Sequence, residues 1–218
     1  MLTWDFDAQK IWTKIELARC GLFKYTTMKQ LIFAIIGSLL FFSCKENKVA
    51  KELPSDSIFH LTSQWEDQRH QSYPLDALRG KTLVVVMIYT SCKTACPLLV
   101  ADMKKIEKQI KPAYLDRVSL VLVSIDPETD TPERLAEFAK TGGMDAPQWV
   151  FLRSTEAATQ EFANVLSMKY KKISPVDFSH SNIISVFNPD GELILQEEGT
   201  GINAAKVAGK VNQTVKES

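Results

Sequence analysis

The chain of 218 residues predicts an α/β fold, with a mixed central sheet, helices on both faces and an N-terminal β-hairpin extension. Three observations predict it. Residues 83–89 are continuously apolar and rich in valine, the mark of a strand buried on both faces. The segment 97–110 follows with apolar side chains at Leu98, Leu99, Ala101, Met103, Ile106 and Ile110, close to helical spacing, and with lysines opposite. After further strands and helices in alternation, two strands joined by Asn188-Pro189-Asp190-Gly191 add an antiparallel hairpin.

In chain order, the regular pattern begins near Ile58. Residues 58–65 and 71–74 can pair as a hairpin around Glu66-Asp67-Gln68, and 76–80 reads as a short turn. Residues 83–89 take the centre of the sheet, the 97–110 helix follows, and 118–125 form a second buried strand. Thr131 caps a helix that opens with Pro132 and runs to about Lys140, ahead of Gly142-Gly143. A short strand at 149–152 precedes a helix capped by Ser154 or Thr155 and reaching Leu166. Residues 183–187 and 192–196 make the closing hairpin, and 203–215 a last helix. This order matches a thioredoxin-like fold over residues 58–218, without internal repeats or low-complexity blocks.

Lys+Arg and Asp+Glu are equal at 26 each, so no global field draws nucleic acid, and none is expected as a partner. Cys20, Cys44, Cys92 and Cys96 are too few for a disulfide scaffold. Ahead of the domain, Met28-Lys29-Gln30, an apolar run and Ser43-Cys44 form a secretory signal pattern of the bacterial lipoprotein type. The apolar run falls short of the roughly 20 residues of a comfortable membrane span. The expectation is therefore a signal peptide at 28–43, Cys44 lipidated as the first mature residue, and a polar tether over 44–57. Residues 1–27 are read as a non-structural extension from an overlong gene start, and Cys20 within them receives no role. Phe41 departs from the usual aliphatic residue before the lipidated cysteine. The alternative is a genuine cytoplasmic segment followed by an uncleaved anchor helix. Both readings export the domain to the periplasm or cell exterior.

Cys92 and Cys96 lie in Tyr89-Thr90-Ser91-Cys92-Lys93-Thr94-Ala95-Cys96-Pro97, between the apolar strand and the following helix. Pro97 suits the first helical turn, which places both sulfurs near the positive helix end, where thiolates are stabilised; Lys93 adds charge. If the segment coils, this spacing brings the sulfurs close enough for a disulfide or a shared soft metal ion. A static disulfide staple is the structural alternative. His180 precedes the strand at 183–187, and in a thioredoxin-like fold that loop faces the active-site cysteines. An imidazole with two thiolates makes a three-coordinate soft site suited to Cu(I), whereas Zn(II) asks for a fourth ligand. His60 and His70 fall in the polar hairpin and are read as surface residues, and the scattered methionines as core packing.

The segment from about Phe59 to Gly201 resembles the Sco/SenC family, copper-binding thioredoxin-like proteins that serve assembly of cytochrome c oxidase. The likeness rests on Thr90-Ser91-Cys92 with Cys96-Pro97, on Ser124-Ile125-Asp126-Pro127-Glu128-Thr129-Asp130-Thr131-Pro132, and on the Asp177 to His180 loop leading to Asn188-Pro189-Asp190-Gly191. It implies that Cys92, Cys96 and His180 bind one copper ion. It further implies that the protein passes copper to the binuclear site of oxidase subunit II, or reduces the cysteines there. Two departures stand out: Lys93-Thr94 replace the family's usual Pro-Asp, and Phe178-Ser179 separate Asp177 from His180, which commonly adjoin.

Two mechanisms of different class remain open. A metallochaperone holds copper and yields it to a partner's thiolates. A thiol-disulfide oxidoreductase cycles Cys92 and Cys96 between dithiol and disulfide. A peroxide-reducing relative on the same fold is a third reading. Asp126 and Asp130 have two equally good readings, docking a partner or orienting the site, and closing a strand and biasing the next helix start, so neither is counted among the site residues.

Overall fold

The computed structural model describes residues 52–174, 177–199 and 201–218. Cys20, Cys44, the signal-like run and most of the tether lie outside the described residues.

The described chain opens with a 3-10 turn at Ile58–His60, capped by Ser57, whose hydroxyl accepts from the Phe59 N–H at 3.1 Å. Strands β1 (Gln64–Asp67) and β2 (Ser72–Pro74) then pair antiparallel. The expected hairpin is there, but its first arm is shorter than read, because Ile58 and Phe59 are buried as a capped turn. Further along come β3 (Thr82–Ile88), α1 (Ala95–Gln109), β4 (Val118–Ser124) and α2 (Pro132–Thr141). After them lie β5 (Trp149–Arg153), α3 (Glu156–Val165), β6 (Tyr170–Ser174) and β7 (Asp177–His180). The chain closes with β8 (Ile183–Phe187), β9 (Leu193–Glu198) and α4 (Ala204–Glu217). Thr131, Thr155 and Asn203 each accept a backbone N–H at the start of α2, α3 and α4, as N-caps do.

Seven strands form one sheet in the order β2-β1-β5-β4-β3-β8-β9. β3, β4 and β5 run parallel, and the flanking strands are antiparallel to their neighbours. Every residue of β3 and of β4 is buried, which accounts for their predominantly apolar character. The middle place belongs to β4, not to β3 as expected, because the N-terminal hairpin extends the sheet beyond β5. Trp65, Trp149, Tyr89, Phe151 and Phe162 are the largest groups of the core, and Met87, Met103, Met144 and Met168 pack within it.

The segment expected to be a loop before β8 is a separate two-stranded ribbon, β6 with β7. Its pattern hid it, since β6 is mostly exposed and Phe178 is the one buried residue of β7. The turn after β8 ties the N-terminal segment down. Gly191 sits at φ +85, and a Cβ there would come within 2.5 Å of Ser57 Oγ, so the close approach requires glycine.

The topology fixes where a site can form. β3 ends at the edge of the sheet where antiparallel β8 begins, with Val86 opposite Ile184. The loop leaving β3 and the segment entering β8 therefore meet.

Candidate metal centre

Beyond β3 the backbone turns at once, with the Cys92 N–H donating to the Tyr89 carbonyl at 3.2 Å. Helix α1 starts at Ala95, earlier than expected, so Cys96 lies in its first turn and is 1% exposed. Thr94 occupies the cap position but makes no side-chain capping bond. The sulfur of Cys92 takes that part, accepting the Cys96 N–H at 3.4 Å. Both thiols are free, Cys92 half-buried and Cys96 buried.

This asymmetry separates their acidities. Burial works to raise the Cys92 thiol, but the backbone N–H groups of Cys96 and Thr94 and the Tyr89 side chain outweigh it and bring it to about 6. Lys93, expected to add charge, is exposed, and backbone donors account for the shift. Burial pushes the Cys96 thiol far up, helped by the Cys92 sulfur and the Asp130 carboxylate against an opposing bond from the Tyr89 backbone. Alkylation of the reduced protein should therefore strike Cys92 first. Its rate should rise with pH through a midpoint near 6, where thiolate replaces thiol, and not near the ordinary 9.0. Mass spectrometry of the singly labelled product across pH checks this, and a midpoint near 9 would contradict it.

His180 ends β7, with Tyr170 as its partner on β6. Its Nδ1 lies 3.1 Å from the Ser181 carbonyl, which can only accept, so Nδ1 carries the proton and Nε2 keeps its lone pair. Nε2 stands 3.9 Å from Cys96 Sγ. The ligand atoms of Cys92, Cys96 and His180 all lie within 4.8 Å of one another, a grouping that no other acidic, cysteine or histidine cluster matches among the described residues. With metal–ligand bonds of about 2.0–2.3 Å, a trigonal ion would hold its donors about 3.8 Å apart, close to the Cys96–His180 distance. The donors fit one soft ion.

Two further residues shape the site. Asp130, for which the sequence left site-orienting and helix-biasing readings open, is 0% exposed. It accepts from the Thr90 N–H at 3.1 Å, the Thr90 hydroxyl at 2.5 Å and the Ser124 hydroxyl at 2.6 Å. Arg134 Nε donates to the same Thr90 hydroxyl at 2.7 Å. Asp130 thus anchors the loop that carries Cys92, while Asp126 does close the strand, its carbonyl accepting from Thr129 and Asp130 N–H. Tyr89 packs edge-on to His180, and its hydroxyl donates to Asp177. The motif containing Asp130 was the one sequence signal for it, and for Tyr89 there was none, since it reads as the last residue of an apolar strand. His60 and His70 stand apart from the group, His60 near the Pro54 carbonyl and His70 beside Glu66 and Glu133.

A profile described as SCO1/SenC matches residues 49–216. The chain belongs to the SCO1/SenC family. Among its Sco relatives, the SCO1 protein homolog of Bacillus subtilis is 27% identical over 138 residues, which cover 62% of this chain and 71% of that one. The solved structure of Bradyrhizobium japonicum ScoI with copper bound has a TM-score of 0.60 at 20% identity, covering 70% of this chain and 96% of that one. A SCO1/SenC family lipoprotein from Bacillus anthracis has a TM-score of 0.63 at 23% identity, covering 69% and 91%. These Sco structures share the mixed sheet described above, and the expected thioredoxin-like fold holds.

Proposed function

We propose that this Sco-family chain is a copper metallochaperone, holding one copper ion on Cys92, Cys96 and His180 and delivering it to cytochrome c oxidase subunit II during assembly. The observation that carries the reading is the convergence of two sulfurs and one imidazole nitrogen within 4.8 Å. Such a donor set is soft and suits Cu(I). Copper is cargo here, so the site must release it. Of the two sulfurs, half-buried Cys92 is the one that a partner's thiolate reaches first, with buried Cys96 following through shared coordination. The relative with copper bound supports the metal, and family membership supports the oxidase as destination.

The same proposal places the domain outside the cytoplasmic membrane, with 28–43 removed as a signal peptide, Cys44 lipidated, 44–57 as tether and 58–218 as the working domain. A lipoprotein among the relatives supports it, and among the described residues no helix is long and apolar enough to cross a membrane. Titration of the reduced protein with Cu(I) under anaerobic conditions should saturate at about one ion per chain. Absence of Cu(I) binding would end the copper reading.

A second reading is favoured by the unequal thiols. In a thiol-disulfide oxidoreductase, the Cys92 thiolate attacks a partner disulfide and forms a mixed disulfide, releasing one partner thiolate. Cys96 then gives up its proton and attacks the Cys92 sulfur, which frees the second partner thiolate and leaves the Cys92–Cys96 disulfide. The partner is reduced and this chain oxidised by two electrons. A His180→Ala variant separates the two readings, since reduction needs no imidazole and copper binding does.

A further inference from the structure

We infer that the Tyr89 hydroxyl and the Asp177 carboxylate form a clamp that positions His180 for the metal, an inference that rests on the copper reading above. The two halves of the site sit on different supports. Cys96 belongs to a helix packed on the sheet, whereas His180 ends a strand whose partner is the exposed β6 of a two-stranded ribbon. Ribbons of this size are marginal alone, so the imidazole needs a tie to the sheet.

Tyr89 supplies it. The residue follows β3 directly, is 2% exposed, and touches β7 at both ends. At the start of β7 its hydroxyl donates to Asp177 Oδ1 at 2.5 Å and accepts from the Phe178 N–H at 3.4 Å. At the far end its ring stands edge-on to His180, with centroids 5.8 Å apart and planes at 86°. Between them, Phe178 packs on the same ring at 5.1 Å. Phe178 and His180 share a face because strand side chains alternate. With Phe178-Ser179 intervening, Asp177 does not adjoin the histidine in sequence and acts on it through Tyr89. Phenylalanine at 89 would keep the ring packing and lose the tie.

The test compares Cu(I) affinity, by competition with a chromogenic chelator, in the full chain and its variants. Tyr89→Phe and Asp177→Ala should each weaken binding about tenfold, the worth of one partly buried hydrogen bond to a carboxylate. Asp177→Asn keeps an acceptor oxygen and should restore most of it. The discriminating arm is the His180→Ala background, where Tyr89→Phe should cost much less, because the clamp works through the imidazole and only the hydroxyl's bond to the Cys92 sulfur is then left to lose. Unchanged affinity in Tyr89→Phe, or the same loss with and without His180, would overturn the clamp. Amide exchange of the reduced, metal-free protein tests the clamp independently of copper. Tyr89→Phe should speed exchange at Phe178, Ser179 and His180, and unaltered exchange there would sink the clamp even if the wild type bound no Cu(I). Failure of wild-type binding alone would count against the copper reading and not against the clamp.

Discussion

Replacing Cys96 by alanine should weaken Cu(I) binding more than about 100-fold, beyond the losses of about 10–100-fold typical of residues that merely support a ligand. Cys96 contacts both other ligand residues, its sulfur 3.9 Å from His180 Nε2 and its own N–H bonded to the Cys92 sulfur. Its burial holds the thiol in the neutral form, so the metal must displace that proton, and the gain from doing so is available only to a sulfur. An alanine methyl leaves the imidazole facing carbon. Serine would restore the shape but offer a hard oxygen, and should rescue little. The substitution removes a single small group, so circular dichroism should show an intact fold. The same variant speaks to the reductase reading, because without Cys96 a mixed disulfide on Cys92 cannot resolve and should accumulate with a disulfide partner. Copper affinity within tenfold of wild type would place the metal elsewhere.

Asp130→Ala should destabilise the domain by about 2–4 kcal/mol, because a buried donor left without its acceptor costs about 1–3 kcal/mol. Thr90 and Ser124 direct three donors at this fully buried carboxylate, and two of the three are hydroxyls with no other carboxylate in reach on the contacts described. Arg134 is half-exposed and 3.8 Å away, so its contribution is small and the figure rests on the buried donors. Urea unfolding measures the loss, and a change below about 1 kcal/mol would show that the network is dispensable. Because Thr90 leads into the Cys92 loop, the variant should also blur the alkylation midpoint of Cys92. Asn at 130 keeps one acceptor and should fall between.

How much of this was legible follows from where each signal resides. β3 and β4 announce themselves because burial on both faces leaves no charged position in the run and only small hydroxyl residues among the apolar ones. Thr131, and Thr155 as one of two candidates, were readable because a cap is a local device, whereas Asn203 was read only as the start of the last helix. The ribbon was not, since Lys171-Lys172-Ile173-Ser174 carries no alternation and one buried phenylalanine is too little pattern. Nor could the middle of the sheet be read, as it depends on where the N-terminal hairpin docks. For the site, spacing and family likeness brought out Cys92, Cys96 and His180. Asp130 and Tyr89 act through partners 40 and 88 residues away in the chain, and a pattern read along the sequence does not carry such pairings.

The antiparallel pairing of β3 with β8 also has a bearing on the newly made chain. Cys92 and Cys96 are near neighbours from the moment of synthesis, whereas His180 lies 84 residues beyond Cys96. Closing so long a loop is slow compared with local turns. During that interval an emerging polypeptide is a bare dithiol, open to oxidants and to any thiophilic ion that two sulfurs can bind. Only when Val86 meets Ile184 does the imidazole arrive. The three-donor set is thus completed late in folding, and conditions that delay the β3–β8 docking should yield oxidised or wrongly metallated molecules from an unaltered sequence.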